Sequence, residues 1–303
     1  MYALLSSCEP LIEITQVKGT SDTHPALSPN DEWADFEIMP YRIATMLQSE
    51  PNGSYIRQAY LNGLSLQDGQ GFNPFKFGVI GSSDTHTGAA SLEENNYFGK
   101  IGAFDSTPEK RGSIPASFLY GTLVKLAASE MVEEVDGQNY LDFSGYKYWG
   151  ASGIAGVWAE SNTREAIYDA LCRKETFATS GTRIKLRFFS GYDFAEDQLG
   201  ETDLIKEAYR SGATMGATLQ AQGKRQPSFL AWAIADPNTA PLQRLQIVKG
   251  WLTNGEHQEK VYDVACSNNL QVNLETHRCP DNNARVDLGD CSTTANVGAA
   301  ELK

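Results

Sequence analysis

Hydrophobic and polar positions follow two different patterns in the two parts of this chain. In the first part, short apolar runs at 11–16 and 77–80 are each followed by a polar loop, and between them apolar residues at 54–64 recur at helical spacing. This order of strand, helix and strand predicts a β/α unit with a parallel sheet. A strand at 156–160 and a helix that starts from Asn162 as its N-terminal cap continue the same pattern.

Beyond residue 182, apolar side chains recur at every second position, as in 184–188. Similar strands are predicted at 228–235, 242–251 and 260–266. Short strands separated by Pro, Gly, Asn and Asp turns indicate a small antiparallel sheet or sandwich. The chain is therefore predicted to have an α/β region over 1–182 and a β-rich region over 183–303.

A long segment at about 89–153 separates the loop after the second strand from the next strand. It contains a predicted helix at 118–131. Connections of this length between sheet elements are usually functional or disordered, and loops at strand ends often cover binding sites. A lid over the site is the favoured interpretation, and a subdomain that packs elsewhere is the alternative.

Asp84 and His86 follow the strand at 77–80. If the chain stays extended there, the two side chains point to the same side, because side chains in a strand alternate. A carboxylate and an imidazole side by side suit zinc, manganese or iron. The spacing also fits a plainer interpretation, in which Asp84 caps a turn and His86 makes a surface hydrogen bond.

The first strand and its loop carry five more candidates, Glu13, Gln16, Lys18, Ser21 and His24. Lys18 is a candidate catalytic cation, because a fixed positive charge offsets negative charge that builds in a transition state. His24 is a candidate general acid, because an unperturbed histidine side chain has a pKa of about 6.5. Glu13, Gln16 and Ser21 are candidate substrate-binding residues, and Glu13 is also a possible metal ligand or a partner of Lys18. The alternative is ordinary loop structure.

The charge balance narrows the possible partners. The chain has 38 acidic and 25 basic side chains, so its formal charge is -13. Such a charge repels phosphate backbones, and we expect no nucleic-acid binding. No uninterrupted apolar run is long enough to span a bilayer. A small molecule is the expected partner.

The five cysteines contain no Cys-x-x-Cys pair, which argues against a structural zinc or thioredoxin-like role. Cys279 and Cys291 flank a polar loop and are candidate disulfide partners, which favours a periplasmic or secreted location. Cys172 lies within a predicted helix, and its thiol is expected to be inert and buried in the protein core. His257 and His277 are isolated and are predicted to lie on the surface.

Several stretches resemble known families. Residues 79–87, which contain Gly-Ser-Ser-Asp-Thr-His, resemble the last metal motif of the PHP (polymerase and histidinol phosphatase) superfamily, and residues 11–14 resemble the strand before it. Stretches similar to the domain-of-unknown-function family 3604 lie at 16–25, 73–78, 156–164 and 246–251. The PHP resemblance implies a distorted, TIM-barrel-like (β/α)7 barrel in which Asp84 and His86 are metal ligands.

The resemblance also implies that ligands are missing from this chain. A PHP barrel opens with a His-x-His strand, and none of the four histidines forms such a pair. We therefore expect the chain to be the C-terminal part of a longer protein. The implied activity is hydrolysis of a phosphoester or a related oxyanion ester, sulfate included, by a metal-bound hydroxide. Two alternatives remain open: a non-catalytic binding or interaction module, and a carbohydrate-binding role for Trp232 and Trp251.

Overall fold

The computed structural model describes residues 9–42, 45, 47–86, 88, 100–101, 105–142, 149, 153–287, 289–290 and 292–303. These residues form four α-helices and several small sheets, and the predicted mixed α/β class is confirmed. The finer assignment, a PHP-like barrel, stays a prediction. None of the helices in this described part combines the length and the apolar character that a membrane crossing needs.

The first sheet has the strand order β2–β1–β3. Its strands are β1 (Leu11–Gln16), β2 (Gly19–Thr20) and β3 (Gly78–Gly81). β1 and β3 are parallel, as predicted, with Leu11 opposite Gly78. The carboxyl ends of both strands therefore lie at the same edge, and the Ser82 N–H donates to the Thr15 carbonyl at 3.1 Å. The loops that carry the candidate residues leave the sheet side by side.

Helix α1 (Ile56–Gln70) connects these two strands, as the spacing at 54–64 predicts. It extends beyond residue 64 and ends at Gly71, whose φ of 76° lies in the left-handed region that glycine adopts easily. Ile56 and Gly63 are buried, whereas Leu64 is 37% exposed. The buried stripe is thus narrower than the sequence pattern predicts.

The long segment contributes a helix and a hairpin. These are α2 (Phe118–Ala127), a 3-10 turn (Ser129–Met131), β4 (Val132–Val135) and β5 (Gln138–Leu141). The predicted helix is confirmed over its first part, and the antiparallel hairpin after it was not predicted. Gly121 lets α2 approach Asn139 closely, since a Cβ there would lie 2.9 Å from the Asn139 Cβ. The lid stays a prediction.

The next elements are β6 (Ile154–Val157), α3 (Arg164–Arg173) and β7 (Thr176–Thr179). β7 lies beside β3, where the Thr176 hydroxyl donates to the Val79 carbonyl at 2.8 Å. The predicted cap of α3 is wrong by one residue: the Thr163 hydroxyl, not Asn162, accepts from the Ala166 N–H at 3.3 Å. Cys172 on this helix is exposed, so its predicted place in the core is also wrong.

Antiparallel strands dominate the rest of the chain, as the period-two pattern predicts. They are β8 (Lys185–Gly191), β9 (Gly212–Thr214), β10 (Ser228–Ile234) and β13 (Glu301–Leu302) in one sheet, and β11 (Arg244–Thr253) and β12 (Glu256–Cys266) in a hairpin, with helix α4 (Leu204–Ser211) beside them. Successive residues of β10 serve two apolar clusters: Leu230 packs with Phe189 and Leu204, while Ala231 packs with Leu245. This is the alternation of a strand covered on both faces.

The hairpin is fixed by a disulfide and by α1. Cys279 is bonded to Cys266, so its predicted pairing with Cys291 is wrong; Cys291 lies outside the described residues. At the other end of the hairpin, the His257 Nε2 lies 2.9 Å from the Ser65 hydroxyl. The β-rich part therefore packs directly against the first α/β unit.

Candidate functional site

Asp84 and His86 lie close together, but for a reason that differs from the sequence argument. Asp84 has a φ of 48°, so the chain is not extended there but adopts the left-handed region that non-glycine residues rarely occupy. This turn brings the Asp84 Oδ1 within 3.8 Å of the His86 Nε2. The His86 side chain is 57% exposed and the Asp84 side chain 29%, so solvent reaches the pair.

The other oxygen of Asp84 is held by a residue that the sequence argument missed. The Lys100 ammonium donates to Asp84 Oδ2, and the Lys100 side chain is only 7% exposed. Its ammonium also lies 5.8 Å from the centre of the Trp149 ring. No local sequence pattern pairs Lys100 with Asp84, because the two residues are 16 positions apart and meet through a tertiary contact.

Hydrogen bonds to a buried carboxylate fix the backbone at Lys100. The Asp105 carboxylate is fully buried and accepts from the Lys100 N–H at 2.5 Å and from the Ile101 N–H at 3.1 Å. The Lys100 carbonyl in turn accepts from the His86 N–H at 2.7 Å. The Asp84–His86 loop is therefore hydrogen-bonded to the backbone of Lys100, which the buried Asp105 carboxylate holds in place.

Glu13 and Gln16 lie on β1 beside this loop. The Gln16 amide donates to Glu13 Oε2 at 3.2 Å, while its own Oε1 is buried and has no hydrogen-bond partner among the described residues. Burial raises the pKa of Glu13, and the charge of Asp84 raises it further, while Lys18 and Lys100 oppose this rise. The two carboxylates therefore repel each other across the end of the sheet.

Lys18 faces the same group of charges. Its ammonium donates to the Ser21 hydroxyl at 2.7 Å and to the Thr20 carbonyl at 3.4 Å. Burial lowers the pKa of Lys18, while the charges of Glu13 and Asp84 oppose the decrease. Two lysines and two carboxylates thus lie within electrostatic range of one another at the carboxyl end of parallel strands. We call Glu13, Lys18, Asp84 and Lys100 the charged cluster.

His24 is placed by local loop contacts. Its Nδ1 accepts from the Ala26 N–H at 3.1 Å, and its ring centre lies 5.6 Å from that of Tyr55. Because Nδ1 accepts, the ring proton resides on Nε2 in the neutral tautomer. Both partners, Ala26 and Tyr55, lie outside the charged cluster, so these contacts do not connect His24 to it. Its predicted role as a general acid stays a prediction.

A partly buried arginine anchors the loop that carries Ser21 and His24. Arg57 of α1 donates from Nε to Asp22 Oδ1 at 3.0 Å and from Nη1 to Asp31 Oδ2 at 2.6 Å. Burial alone would lower the pKa of Arg57, but its hydrogen bonds and ion pairs with these carboxylates raise it. The loop is therefore tied to the helix at two points.

The donor chemistry of Asp84 and His86 fits a divalent metal, although the pair forms only part of a ligand set. A carboxylate oxygen and an imidazole nitrogen 3.8 Å apart can both reach one ion at about 2.0–2.2 Å. The described part of the chain contains no group of three or more His, Cys, Asp or Glu residues placed to hold a metal. A complete centre needs further donors.

The fold and the site together define a mixed α/β protein with a solvent-accessible charged cluster at the carboxyl ends of parallel strands. Residues 2–303 match the family model described as "Protein of unknown function (DUF3604)", and the chain belongs to that family. The match confirms the resemblance to that family. No curated protein and no solved structure matches the chain significantly.

Proposed function

We propose that this chain is the C-terminal part of a metal-dependent hydrolase that acts on phosphoesters or related oxyanion esters. The observation that carries the proposal is the Asp84 Oδ1 to His86 Nε2 separation of 3.8 Å at the end of a parallel strand, beside two lysines. When bound, a zinc, manganese or iron ion supplies Lewis acidity and lowers the pKa of water. The remaining donors are proposed to come from a preceding segment, as the PHP resemblance implies.

The residues around the pair are suited to an anionic substrate. The Lys18 ammonium is partly buried and is held in place by Ser21, so little rotational freedom is lost when it meets an oxyanion. A fixed cation of this kind stabilises the charge that gathers on a transferring phosphoryl or sulfuryl group. Ser21 accepts from Lys18, so its own hydroxyl proton is free to bind a substrate oxygen.

Three further residues have proposed supporting roles. Glu13 and Gln16 form one wall beside the pair, where the exposed edge of a substrate would meet their polar atoms. His24 is proposed to protonate the leaving group from Nε2 of its imidazolium form, in which Nδ1 also carries a proton and no longer accepts from the Ala26 N–H. Its position on the loop that carries Lys18 and Ser21 supports this role, because that loop is fixed to α1 through Arg57.

Elemental analysis of the purified chain tests the proposal directly. Because the pair is only part of a ligand set, we expect the parent chain to retain less than one equivalent of added zinc, manganese or iron, and Asp84→Ala and His86→Ala to retain none. His257→Ala is the matched control, because this exposed histidine of β12 forms its hydrogen bond with the Ser65 hydroxyl of α1. Equal metal content in all four proteins would contradict a site at this pair, and a metal-free parent would contradict a centre formed by this chain.

Two alternatives are distinguished by further measurements. A non-catalytic binding module is favoured by the lack of a three-donor group in the described part of the chain. Such a module would neither retain metal nor respond to it. A sulfate-ester hydrolase would use the same residues, and aryl phosphate and aryl sulfate substrates compared at equal concentration separate the two activities.

A carbohydrate-binding role for the two tryptophans of the β-rich part is not proposed. The Trp232 ring is covered by the Lys303 ammonium at 4.3 Å, and the Trp251 ring by the Lys249 ammonium at 5.0 Å. Both rings thus already hold an ammonium of the same chain over one face, which a sugar ring on that face would have to displace.

A further inference from the structure

Lys100 contacts each of the three residues from Asp84 to His86. Its ammonium pairs with Asp84 Oδ2, and its carbonyl accepts from the Thr85 hydroxyl at 3.4 Å and from the His86 N–H at 2.7 Å. The sequence separation between Lys100 and Asp84 is 16 residues, so these contacts are tertiary. One residue of the long segment thus fixes both the backbone and a side chain of the loop.

The choice of oxygen atoms matters for what Lys100 does. Its ammonium bonds to Oδ2, which leaves Oδ1 as the oxygen that faces His86 Nε2. A carboxylate held at one oxygen cannot rotate freely about its last side-chain torsion. Residues that hydrogen-bond to metal ligands in this way orient them and tune their affinity.

We propose that Lys100 is a positioning residue that sets the orientation of Asp84 and His86 toward a common ion. The inference rests on the proposed function in one respect, because it takes these two residues as a ligand pair. Asp105 supports this role of Lys100, since its buried carboxylate accepts from the Lys100 N–H and so fixes the Lys100 backbone.

Lys100 could also weaken metal binding instead of strengthening it. The direction in which metal affinity changes when Lys100 is removed therefore distinguishes the two effects. A cation beside a metal site repels the metal, so its removal would strengthen binding if repulsion dominated. The geometry favours positioning, because Lys100 engages the oxygen that faces away from His86. Removal of Lys100 should therefore weaken metal binding.

The first experiment follows the ring signals of His86 by NMR in the metal-free full chain. The chain has only four histidines, so His86→Ala assigns the His86 signals by their disappearance. We expect Lys100→Met to shift these signals, because Asp84 is no longer held against the ring. Lys125→Met is the matched control, because Lys125 forms a similar short ion pair with Glu134 on the exposed surface of the long segment.

The second experiment titrates Mn²⁺ or Zn²⁺ into the same proteins. We expect Lys100→Met to bind the ion at least about tenfold more weakly than the parent, and Lys100→Arg to recover part of the loss. Lys125→Met should match the parent. Unchanged or tighter binding by Lys100→Met would overturn the positioning role.

The two experiments separate the inference from the proposed function. If the parent binds no metal but the His86 signals still shift in Lys100→Met, the positioning role stands and metal binding by this chain alone fails. If the His86 signals are the same in Lys100→Met and in the parent, the positioning role is overturned whether or not metal binds.

Discussion

Asp263 of the antiparallel hairpin and Glu13 of the parallel sheet are both carboxylates withdrawn from solvent, yet their surroundings shift their pKa values in opposite directions. Burial acts to raise the pKa of Asp263, but the Cys279 N–H, Gln246 and Arg244 outweigh it and hold the pKa below its usual value. For Glu13, burial and the charge of Asp84 together raise the pKa. One carboxylate is neutralised by its neighbours and the other is not.

This difference separates structural charge from functional charge. The Asp263 side chain is fully buried, and arginines 244 and 278 lie 3.4 Å from its two oxygens. Such an arrangement stabilises one fold and leaves no charge for a ligand. The charged cluster instead has two repelling carboxylates, one buried lysine, one half-buried lysine and a left-handed backbone at Asp84. Perturbed pKa values and backbone strain of this kind concentrate at functional sites.

The largest effect should come from Asp263→Ala. The change removes the buried acceptor that two arginines and the Cys279 N–H share, while Glu32 still pairs with both arginines. The loss of one partner from a buried charged network costs about 3–5 kcal/mol. Urea unfolding measures the loss as a lower free energy of unfolding. Asp281→Ala is the control, since its ion pair with Arg285 is exposed to solvent and contributes little to stability. Equal losses in the two variants would refute the structural role of Asp263.

A smaller effect is expected when the disulfide is removed. The bond between Cys266 and Cys279 closes a loop with a sequence separation of 13, and bonds of this kind contribute about 2–4 kcal/mol. Thermal unfolding of Cys266→Ser/Cys279→Ser should show a lower midpoint, which Cys172→Ser should not. Metal binding by Asp84 and His86 should persist below the unfolding transition, because the bond lies in the other region. Loss of metal binding in the folded double variant would contradict that separation.

Hydrophobic periodicity predicted the helices and strands of both regions, because the spacing of apolar residues within one element determines which of its faces is buried. The alternation at 184–188 follows directly from a strand with two different faces, and it is confirmed by β8. The helical spacing at 54–64 likewise gave α1, because Ile56 and Gly63 share a buried face. The ends of elements were predicted less accurately, since Thr163 and Asn162 are both favoured cap residues by type.

Contacts between distant residues could not be predicted in the same way. Asp84 and His86 were identified by residue type and spacing, but the extended backbone assumed for them is absent at Asp84. Lys100 carries no local pattern that links it to Asp84. The pairing of Cys266 with Cys279 similarly depends on how the chain after β12 folds back, which spacing alone does not define.

The smallest predicted effect concerns the sign of the pH dependence at Glu13. Because its pKa is raised above the unfolded value of 4.5, Glu13 favours the folded state below that pH, and this contribution is lost as pH rises through the raised pKa. Glu13→Gln should therefore raise the free energy of unfolding at pH 7 by less than about 1 kcal/mol, because solvent screens this half-buried group. The gain should vanish below pH 4.5, where both side chains are neutral.

Glu134→Gln provides the opposite case on the same protein. Lys125 lowers the pKa of Glu134 through a hydrogen bond and its charge, so the contribution of Glu134 is present above pH 4.5 and is lost as pH falls through the lowered pKa. The free energy of unfolding at pH 7 should therefore fall slightly in this variant. If Glu13→Gln also destabilised the protein at pH 7, Glu13 would be a neutralised carboxylate like Asp263, and the distinction between the two regions would fail. A gain confined to the range above pH 4.5 would instead show that burial and the charge of Asp84 together outweigh the two lysines at Glu13.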